Sequence, residues 1–498
     1  MTLSPTDLES IWPGLLLLAS GFVVIVLDLV RPGLPAIVRA FAGVLGSAGA
    51  TGWLANRWWT GAAQVSGFEG TMVLDDLALL GSLGIGMATT LILGLAPIDA
   101  VRRRIDVGEY HALLLFSAAG MTWLLSAADF LTLFIALEIL SLGVYVLTGV
   151  TRRNPRSTEA AMKYLVTGAF ATAFLLMGMA LVYGATGAIG YDAISAAAAK
   201  SDAPILGVGV GLVLVGMLFK LGAVPFHMWV PDVYEGAPTT TTAFMSVAVK
   251  AAGFGALVRL LVGAFGSRPD LWVDLVMVVA VATMIVGNLL AVGQASVKRM
   301  LAFSSVAHTG YALVALACLV DENGTFHPGG ASSALFYVFA YTFMTLGAFV
   351  FLVYMGHEAG KEWQDAETYE DLEGLGWRHP WATAGMIVLM CSLGGLPPTA
   401  GFLGKLWVLQ TAVDHGHVAI AVIAVLASLV SWAYYLRVVI ALAMRDPAAD
   451  DERPHPAVAW VLGAAVAGTL ALGLAPGAVV ELADRAVVSA GRAAVASR

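Results

Sequence analysis

The sequence predicts an all-α, polytopic membrane protein, and its composition and apolar patterning both indicate this class. Of its 498 residues, 59% are hydrophobic and 12% are charged, and the mean hydropathy is +0.84. Soluble domains carry roughly 25% charged residues, so this chain has too few to cover a water-exposed surface. Apolar runs of membrane-spanning length recur along the whole chain. The net charge of −8, without long basic runs, argues against a nucleic-acid partner.

Fourteen apolar runs are each long enough to cross the hydrocarbon core as a helix. They lie near 11–30, 36–56, 72–96, 110–127, 129–149, 159–187, 205–226, 239–263, 271–292, 299–319, 332–356, 382–413, 416–442 and 457–476. If the N-terminus is outside, most Lys and Arg residues, including Arg103 and Lys298, fall on the inner side, whereas Arg259 falls on the outer side. We therefore expect a multi-pass membrane protein with both termini outside.

Four charged residues lie in the interior of the predicted spans rather than near their ends: Glu138, Lys220, Lys250 and Lys405. Insertion scales put the cost of each at roughly 2.5–3.5 kcal/mol at a helix centre, or about 10–14 kcal/mol together. That total is comparable with the stability of about 5–15 kcal/mol of an ordinary domain. The four charges therefore favour a functional polar axis, and the alternative is a set of structural ion pairs inside the bundle.

Hydroxyl-bearing residues form stripes beside these charges. Spacings of three and four residues place such side chains on one helix face. The stripes are Thr239, Thr242, Ser246 and Lys250; Glu138, Ser141, Tyr145 and Thr148; Ser333, Tyr337, Tyr341 and Thr345; and the pair Ser304 and His308. Hydroxyls donate and accept hydrogen bonds, so the stripes can hold a chain of water molecules. The alternative is that they bond helices together as packing contacts.

Two of the predicted spans are broken. The seventh contains Lys220 followed by Pro225, and the twelfth contains Pro397 and Pro398 followed by Lys405. A broken helix at membrane depth is tolerated only where protein or water satisfies its backbone. The breaks are five spans apart, and this odd offset is typical of inverted repeats with an ion site at each break. We predict an N-terminal three-helix segment at 1–107, a first repeat at 108–265, a second, inverted repeat at 266–445, and a C-terminal helix and tail at 446–498.

The chain has no recognisable nucleotide or metal motif. The glycines at Gly207, Gly209 and Gly211 lie in an apolar run without a preceding strand, and Lys405 is followed by Leu rather than Ser or Thr. Cys318 and Cys391 are too isolated to build an iron–sulfur cluster or a zinc site from this chain alone. The sequence therefore predicts no cofactor and no metal in this chain, and an energy source supplied by partners.

Several stretches resemble the antiporter-like membrane subunits of the bacterial proton-pumping NADH:quinone oxidoreductase, respiratory complex I. They lie at 108–121, 129–149, 161–170, 219–254, 297–311, 340–349 and 393–405. The string VPDVYEGAPT at 230–239 is similar to the N-subunit branch of this family. The first three spans and the last two are less diagnostic.

The resemblance implies a proton-translocating subunit without its own redox centre. Glu138 matches the essential glutamate of the family, while Lys220, Lys250 and Lys405 match its ionisable groups near mid-membrane. His308 aligns with a polar position of the second half-channel. The eleventh span has no Lys or His, so the path there would depend on hydroxyls and water. FMN, iron–sulfur clusters and quinone are expected in partner subunits. The expected partners of this chain are the other membrane subunits and the lipid bilayer of a bacterial cell membrane.

The resemblance suggests a mechanism in which two half-channels join at mid-membrane. Burial favours the neutral amine of Lys220, whereas a nearby Glu138 carboxylate favours the charged amine, so making and breaking this pair would move protons. Quinone reduction in neighbouring subunits would drive the change. Two other functions stay open: a subunit of a cation/proton antiporter, against which the VYEGAP string speaks, and a membrane scaffold with structural ion pairs.

Overall fold

The structure, a computed structural model, is a helical bundle. It describes residues 3–31, 34–62, 64–103, 105, 107–359, 362–445 and 456–495. The helices are α1 (Pro5–Val30), α2 (Ala36–Thr60), α3 (Asp76–Arg102), α4 (Val107–Ser126), α5 (Phe130–Thr148), α6 (Pro155–Thr186), α7 (Tyr191–Ala198), α8 (Pro204–Leu221), α9 (Trp229–Gly236), α10 (Thr239–Phe244), α11 (Lys250–Arg259), α12 (Val273–Val292), α13 (Val297–Ala317), α14 (Ala331–Tyr354), α15 (Leu375–Arg378), α16 (Pro380–Gly394), α17 (Ala400–Asp414), α18 (Val418–Met444), α19 (Pro456–Leu474) and α20 (Gly477–Val495).

The described residues include twelve helices that are long and apolar enough to cross a membrane, counting α10, α11 and the two π-helical turns around α11 as one span, Thr239–Ala264. The other two predicted runs correspond to α4 and to the pair α16 and α17. The polytopic all-α class is therefore confirmed, while the count of fourteen and the inverted repeats stay predictions.

Local signals explain where many helices begin. Asp75 caps α3 by accepting a hydrogen bond from the Ala78 amide at 2.9 Å, and Asp129 caps α5 through the Thr132 amide at 2.7 Å. Side chains of this type satisfy amides that have no partner within the helix. Proline stands in the first turn of α1, α6, α8 and α16, where its missing N–H costs nothing.

Small residues let two helix pairs pack at very short range. A Cβ atom on Gly178 of α6 would lie 2.5 Å from the Val213 nitrogen of α8. A Cβ atom on Gly310 of α13 would lie 2.5 Å from the Met284 nitrogen of α12. Close backbone approach through small residues is a typical way to hold helices together in lipid. The pairs α6–α8 and α12–α13 are thus comparable packing units in the two halves of the chain.

Both predicted helix breaks are confirmed. Helix α8 ends at Leu221, and the chain resumes in the short α9. Helix α16 ends at Gly394, and α17 begins at Ala400. Gly222 and Gly395 follow the two helix ends with φ of 69° and 89°, a conformation that glycine adopts without strain.

Three spans are almost wholly enclosed by the others: Thr239–Ala264, α13 and α14. Helices α1, α2, α6, α18 and α19 lie at the periphery and expose large apolar side chains. The enclosed spans carry Lys250 and His308, so the most polar segments are kept away from lipid.

Two short hairpins and one further helix complete the described fold. Strands β1 (Val65–Gly67) and β2 (Met72–Leu74) pair antiparallel, as do β3 (His357–Ala359) and β4 (Glu362–Gln364). In the predicted C-terminal segment, residues 446–455 and 496–498 lie outside the described residues. The stretch predicted as a tail contains α20, which packs on α3 and α14. Helix α20 has one polar and one apolar face, so its sequence is not a continuous apolar run and does not predict a span.

Candidate functional site

Lys220 is buried in the last turn of α8, immediately before the first break. Its Nζ donates to Ser141 Oγ at 2.9 Å and lies 3.5 Å from the Tyr164 hydroxyl. The rings of Tyr145 and Tyr164 stand 5.6 and 5.5 Å from the amine, within range for cation–π attraction. The C-terminal end of a helix also favours a positive charge. The fold therefore creates a site at Lys220 that can hold an ammonium group without a paired carboxylate.

Glu138 is only partly buried, unlike the three lysines, and faces the side of the bundle formed by α5 and α6. Its Oε1 accepts a hydrogen bond from Thr172 Oγ1 at 2.9 Å. Ser141, one turn along α5, is the side chain that holds Lys220. A crevice lined by Ser141, Thr172 and Lys220 has a volume of about 10 Å³, which is room for about one water molecule. Lys220 thus lines this crevice together with Thr172, the residue that bonds Glu138.

Lys250 is buried in α11 and faces α13. Its Nζ donates to Thr309 Oγ1 at 2.8 Å and to the Ser305 carbonyl at 2.5 Å. Thr309 Oγ1 in turn donates to the Leu221 carbonyl at 3.1 Å, which the break in α8 has left without a helical partner. One threonine therefore joins the end of the Lys220 helix to the Lys250 amine.

Among the buried hydroxyls near this axis, that of Thr239 has no hydrogen-bond partner in the described residues, whereas those of Ser305 and Thr345 interact with Tyr341. Thr239 belongs to the predicted Lys250 stripe, and Thr345 to the predicted α14 stripe. Lys250 Nζ lies 5.8 Å from the ring of Tyr341, which belongs to the same α14 stripe. Buried polar groups normally find a partner, and water supplies it where protein does not. The Thr239 hydroxyl is therefore available to bond a water molecule, on the same helical stripe as Lys250.

His308 is buried in α13 at the centre of a tyrosine cluster. Its Nδ1 shares a 2.5 Å hydrogen bond with the Tyr337 hydroxyl, and its Nε2 shares a 2.9 Å bond with the Tyr435 hydroxyl. Tyr435 also bonds Ser304 at 2.6 Å. The imidazole can relay a proton because one ring nitrogen accepts while the other donates. The helix α14, which lacks Lys and His, thus reaches a titratable group through Tyr337.

Lys405 is buried in the second turn of α17. Its Nζ donates to the Gly394 carbonyl at 3.1 Å and to Ser428 Oγ at 2.8 Å. The ring of Tyr311 stands 5.1 Å from the amine. Gly394 is the last residue of α16, so this amine also lies at the negative end of a half-helix.

Two basic residues that the sequence assigned to the outer and inner sides of the membrane are in fact buried. Arg259 makes a two-bond pair with Asp75, at 2.8 and 2.6 Å. Lys298 donates to Glu367 at 2.6 Å and to the Ala237 carbonyl at 2.8 Å. Both carry a carboxylate partner, which offsets much of the desolvation cost. Lys220, Lys250 and Lys405 differ, since their direct partners are hydroxyls and carbonyls.

Sequence reasoning missed several side chains that contact the site. Thr172, Thr309, Ser428 and Tyr435 come from spans other than those of the residues they bond. Each is a polar residue within an apolar run, and that is the one signal that could have found it. Within the described part of the chain, no three His, Cys, Asp or Glu side chains lie where they could jointly hold a metal ion.

The loop between α13 and α14 is fastened to the turn after α17. His415 Nδ1 donates to the Cys318 carbonyl at 2.5 Å, and His417 Nε2 donates to the Val320 carbonyl at 2.6 Å. In the same loop, hydrogen bonds from His327 and from backbone amides lower the pKa of Asp321 to about 2. Asp321 therefore stays ionised at neutral pH, at the predicted outer end of the bundle.

Comparison with known proteins gives the family. Residues 127–431 match the transmembrane family described as NADH:quinone oxidoreductase/Mrp antiporter. The NADH-quinone oxidoreductase subunit N of Trichlorobacter lovleyi is 39% identical, with 97% of each chain covered. A chain of respiratory complex I from Thermus thermophilus has a TM-score of 0.80 at 34% identity, covering 95% of this chain and all of the other.

A chain of the Mrp complex from Dietzia sp. DQ12-45-1b has a TM-score of 0.84, with 98% of each chain covered. Its identity is 22%, so this likeness shows the fold alone. The closer sequence likeness therefore favours the oxidoreductase over the cation/proton antiporter. The chain belongs to the NADH:quinone oxidoreductase/Mrp antiporter family of membrane subunits, on the branch of NADH-quinone oxidoreductase subunit N.

Proposed function

We propose that this chain is the subunit of a bacterial NADH:quinone oxidoreductase that carries protons through the membrane by way of Glu138, Lys220, Lys250, His308 and Lys405. Electron transfer from NADH to quinone takes place in partner subunits, which hold the FMN, the iron–sulfur clusters and the quinone. The other membrane subunits are its partners, and the bacterial cell membrane is its location.

The observation that carries this proposal is the set of three buried lysines that are held by hydroxyls and carbonyls rather than by carboxylates. A buried charge that serves stability alone is expected to be paired, as Arg259 is with Asp75. An amine held by neutral groups can exist with or without its extra proton, because its partners do not require the charge. Lys220, Lys250 and Lys405 therefore suit proton storage and transfer.

The first half of the path runs from Lys220 to Lys250. Thr309 Oγ1 contacts both the Lys250 amine and the Leu221 carbonyl beside Lys220. A carbonyl cannot pass a proton onward, so water has to complete this link.

The second half of the path runs from Lys250 through His308 towards Lys405. The Tyr341 ring lies 5.0 Å from the His308 ring and 5.8 Å from Lys250 Nζ. His308 then bonds Tyr337 and Tyr435, and Tyr311 faces both His308 and the Lys405 amine. Hydroxyls, an imidazole and water can exchange protons along this row by small rotations.

The switch that we propose is the contact between Glu138 and Lys220. In this conformation each bonds its own hydroxyl, Thr172 and Ser141. If the carboxylate swings towards the amine, the charged amine is stabilised and takes up a proton; if it returns, the neutral amine is favoured and the proton moves on. Because Glu138 lies at the side of the bundle, a neighbouring membrane subunit can act on it directly.

Glu138→Gln tests the switch, since the amide keeps the size and the Thr172 contact but loses the charge. We expect the complex to assemble with its flavin and to lose most NADH-driven proton pumping in membrane vesicles. Glu69→Gln, at an exposed loop position, is the matched control and should pump normally. Normal pumping by the Glu138→Gln complex would overturn the assigned role.

Co-purification decides between the oxidoreductase and the antiporter alternative. We expect a tagged chain, solubilised gently from its own membranes, to bring with it a flavin- and iron–sulfur-containing assembly that reduces quinone with NADH. Recovery with small membrane subunits only, without flavin, would support the cation/proton antiporter instead, and sodium-dependent proton exchange would then be the assay.

A further inference from the structure

A cavity lined by both polar and apolar side chains opens between the first turns of α14 and the last turns of α17. It has a volume of about 220 Å³, enough for several water molecules. Its walls include Ser333 on α14, with Gln410, Thr411 and Asp414 on α17. Thr411 Oγ1 donates to Ser333 Oγ at 3.0 Å. The distribution of Lys and Arg puts this end of both helices on the outer side of the membrane.

Two aromatic rings form the floor of this cavity. Phe336 is 1% exposed, and its ring stands edge-on to Trp407 with a centroid distance of 4.5 Å and an interplanar angle of 71°. Phe336 lies three residues beyond Ser333 on α14, and Trp407 lies four residues before Thr411 on α17. The rings thus make a layer about one helical turn deeper than the hydroxyl pair.

The hydrogen-bonded tyrosine cluster begins directly below this layer. Tyr337, the residue after Phe336, bonds His308 at 2.5 Å. Its ring fills the space beside Gly404, where a Cβ atom would lie 2.7 Å from Tyr337 Cδ2. Helices α14 and α17 are therefore in close contact at this depth.

The ring layer is unsuited to proton relay. Phenylalanine has no hydrogen-bonding atom, and the indole N–H of tryptophan can donate but not accept. A proton can cross only if the rings separate and water enters between them, as in channels that gate by dewetting at an apolar constriction. Hydroxyl groups lie on both sides of the layer, with Ser333 and Thr411 above it and Tyr337 below it.

We infer that Phe336 and Trp407 are a hydrophobic gate between the outer cavity and the His308–Tyr337 cluster. The inference rests on the proposed function, since a gate has a role here only if protons pass through this chain. Closed rings keep protons of the outer side from returning to Lys405, and opened rings allow release. The cavity above the gate, with Ser333, Thr411 and Asp414, is then the outer end of the path.

Accessibility of single cysteines tests the gate without any need for turnover. In a Cys318→Ala, Cys391→Ala background, we would introduce Ser333→Cys above the rings or His308→Cys below them. Right-side-out vesicles containing the full complex would be treated with a small, membrane-impermeant methanethiosulfonate. We expect rapid labelling at position 333 and slow labelling at position 308. Phe336→Ala should raise the rate at position 308 roughly tenfold or more, because it removes one side of the constriction.

Matched variants keep this test decisive. Phe343→Ala, on the same helix but outside the gate, should leave position 308 slow, and Trp407→Ala should repeat the effect of Phe336→Ala. Rapid labelling at position 333 in each variant would show that the cavity has kept its shape. The gate is overturned if position 308 labels rapidly with both rings present, or stays slow in both ring variants. The proposed function fails separately, through normal pumping by the Glu138→Gln complex.

Discussion

Each of the two broken helices places a lysine amine at the negative end of a half-helix, but the two lysines lie on opposite sides of their breaks. Lys220 belongs to the half-helix before its break, whereas Lys405 belongs to the half-helix after its break and reaches back to Gly394. Both amines therefore lie at the negative end of a half-helix. The breaks differ in how their freed carbonyls are satisfied: Thr309 serves Leu221, but Lys405 itself serves Gly394. Within the described residues, Lys220 thus bonds no freed backbone carbonyl, while Lys405 has a structural role besides the transfer proposed for it.

The surroundings of the two amines differ as well. Lys220 lies beside a narrow crevice, and the partly buried Glu138 lies one helical turn from Ser141, the partner of Lys220. Lys405 contacts Ser428 and Tyr311, and its helix lines the large outer cavity. In the proposed path, this difference fits control of the proton at the first site and its release at the second.

Replacement of each lysine by methionine should separate these roles. Lys220→Met and Lys405→Met should both remove most proton pumping, since each removes a buried titratable group. Only Lys405→Met leaves a buried carbonyl unsatisfied, at a cost of about 1–3 kcal/mol. We expect the thermal midpoint of the purified complex to fall more for Lys405→Met than for Lys220→Met. Lys200→Met, at an exposed position, serves as the control for both measurements. Equal midpoints for the two buried variants would remove the structural distinction.

Thr309→Val should have the next largest effect. The change keeps the shape but removes the hydroxyl that links the Leu221 carbonyl to the Lys250 amine. We expect pumping per assembled flavin to fall several-fold, because two buried polar groups lose a partner at about 1–3 kcal/mol each. Thr309→Ser restores the hydroxyl and should recover most of the rate. Failure of the serine variant to recover would show that the methyl group, not the hydroxyl, is what matters.

Removal of one tyrosine hydroxyl at each site shows how much each site depends on its tyrosine for proton pumping. Tyr337→Phe removes a 2.5 Å bond to His308, whereas Tyr164→Phe removes only a 3.5 Å contact with Lys220. Hydrogen bonds weaken at such long distances, so the second change should cost less. Pumping rates measured on the two complexes should rank Tyr337→Phe as the slower. A reversed order would argue that the first site, not the second, depends on its tyrosine.

The smallest effect is expected at the predicted inner surface. Arg299 donates to Asp232 at 2.9 Å and to Glu235 at 2.6 Å, all within partly exposed positions. Exposed ion pairs contribute about 0–1 kcal/mol, so Arg299→Gln should change the thermal midpoint little and leave pumping near the wild-type rate. A large loss of pumping would show that this network acts on α9 and hence on Lys220.

The sequence could predict the breaks and the buried charges because both are local signals. A proline within an apolar run indicates a helix break at that position. An ionisable residue in an apolar run can likewise be recognised without knowledge of its partner. Burial bears out Lys220, Lys250, Lys405 and His308 as interior residues. Glu138 differs because its side of α5 faces the edge of the bundle, which periodicity within one span cannot reveal.

The partners of these residues could not be predicted, because they depend on which spans meet. Thr309 contacts Lys250 across 59 positions, and Tyr435 contacts His308 across 127. The gate pair Phe336 and Trp407 is equally non-local, since apolar rings in apolar spans carry no signal of their own. For the same reason, the sequence places Arg259 on the outer side and does not predict its buried pairing with Asp75.

Lys250→Met is the most direct test of the central claim that the buried lysines carry the protons. Lys250 lies between the two broken helices, so no route through this chain avoids it in our account. We would measure proton translocation per assembled flavin in proteoliposomes during NADH-driven quinone reduction, with Lys200→Met as the control. The account predicts a fall of roughly tenfold or more, since methionine cannot hold a proton at a buried site. Proton translocation at the control rate would contradict it.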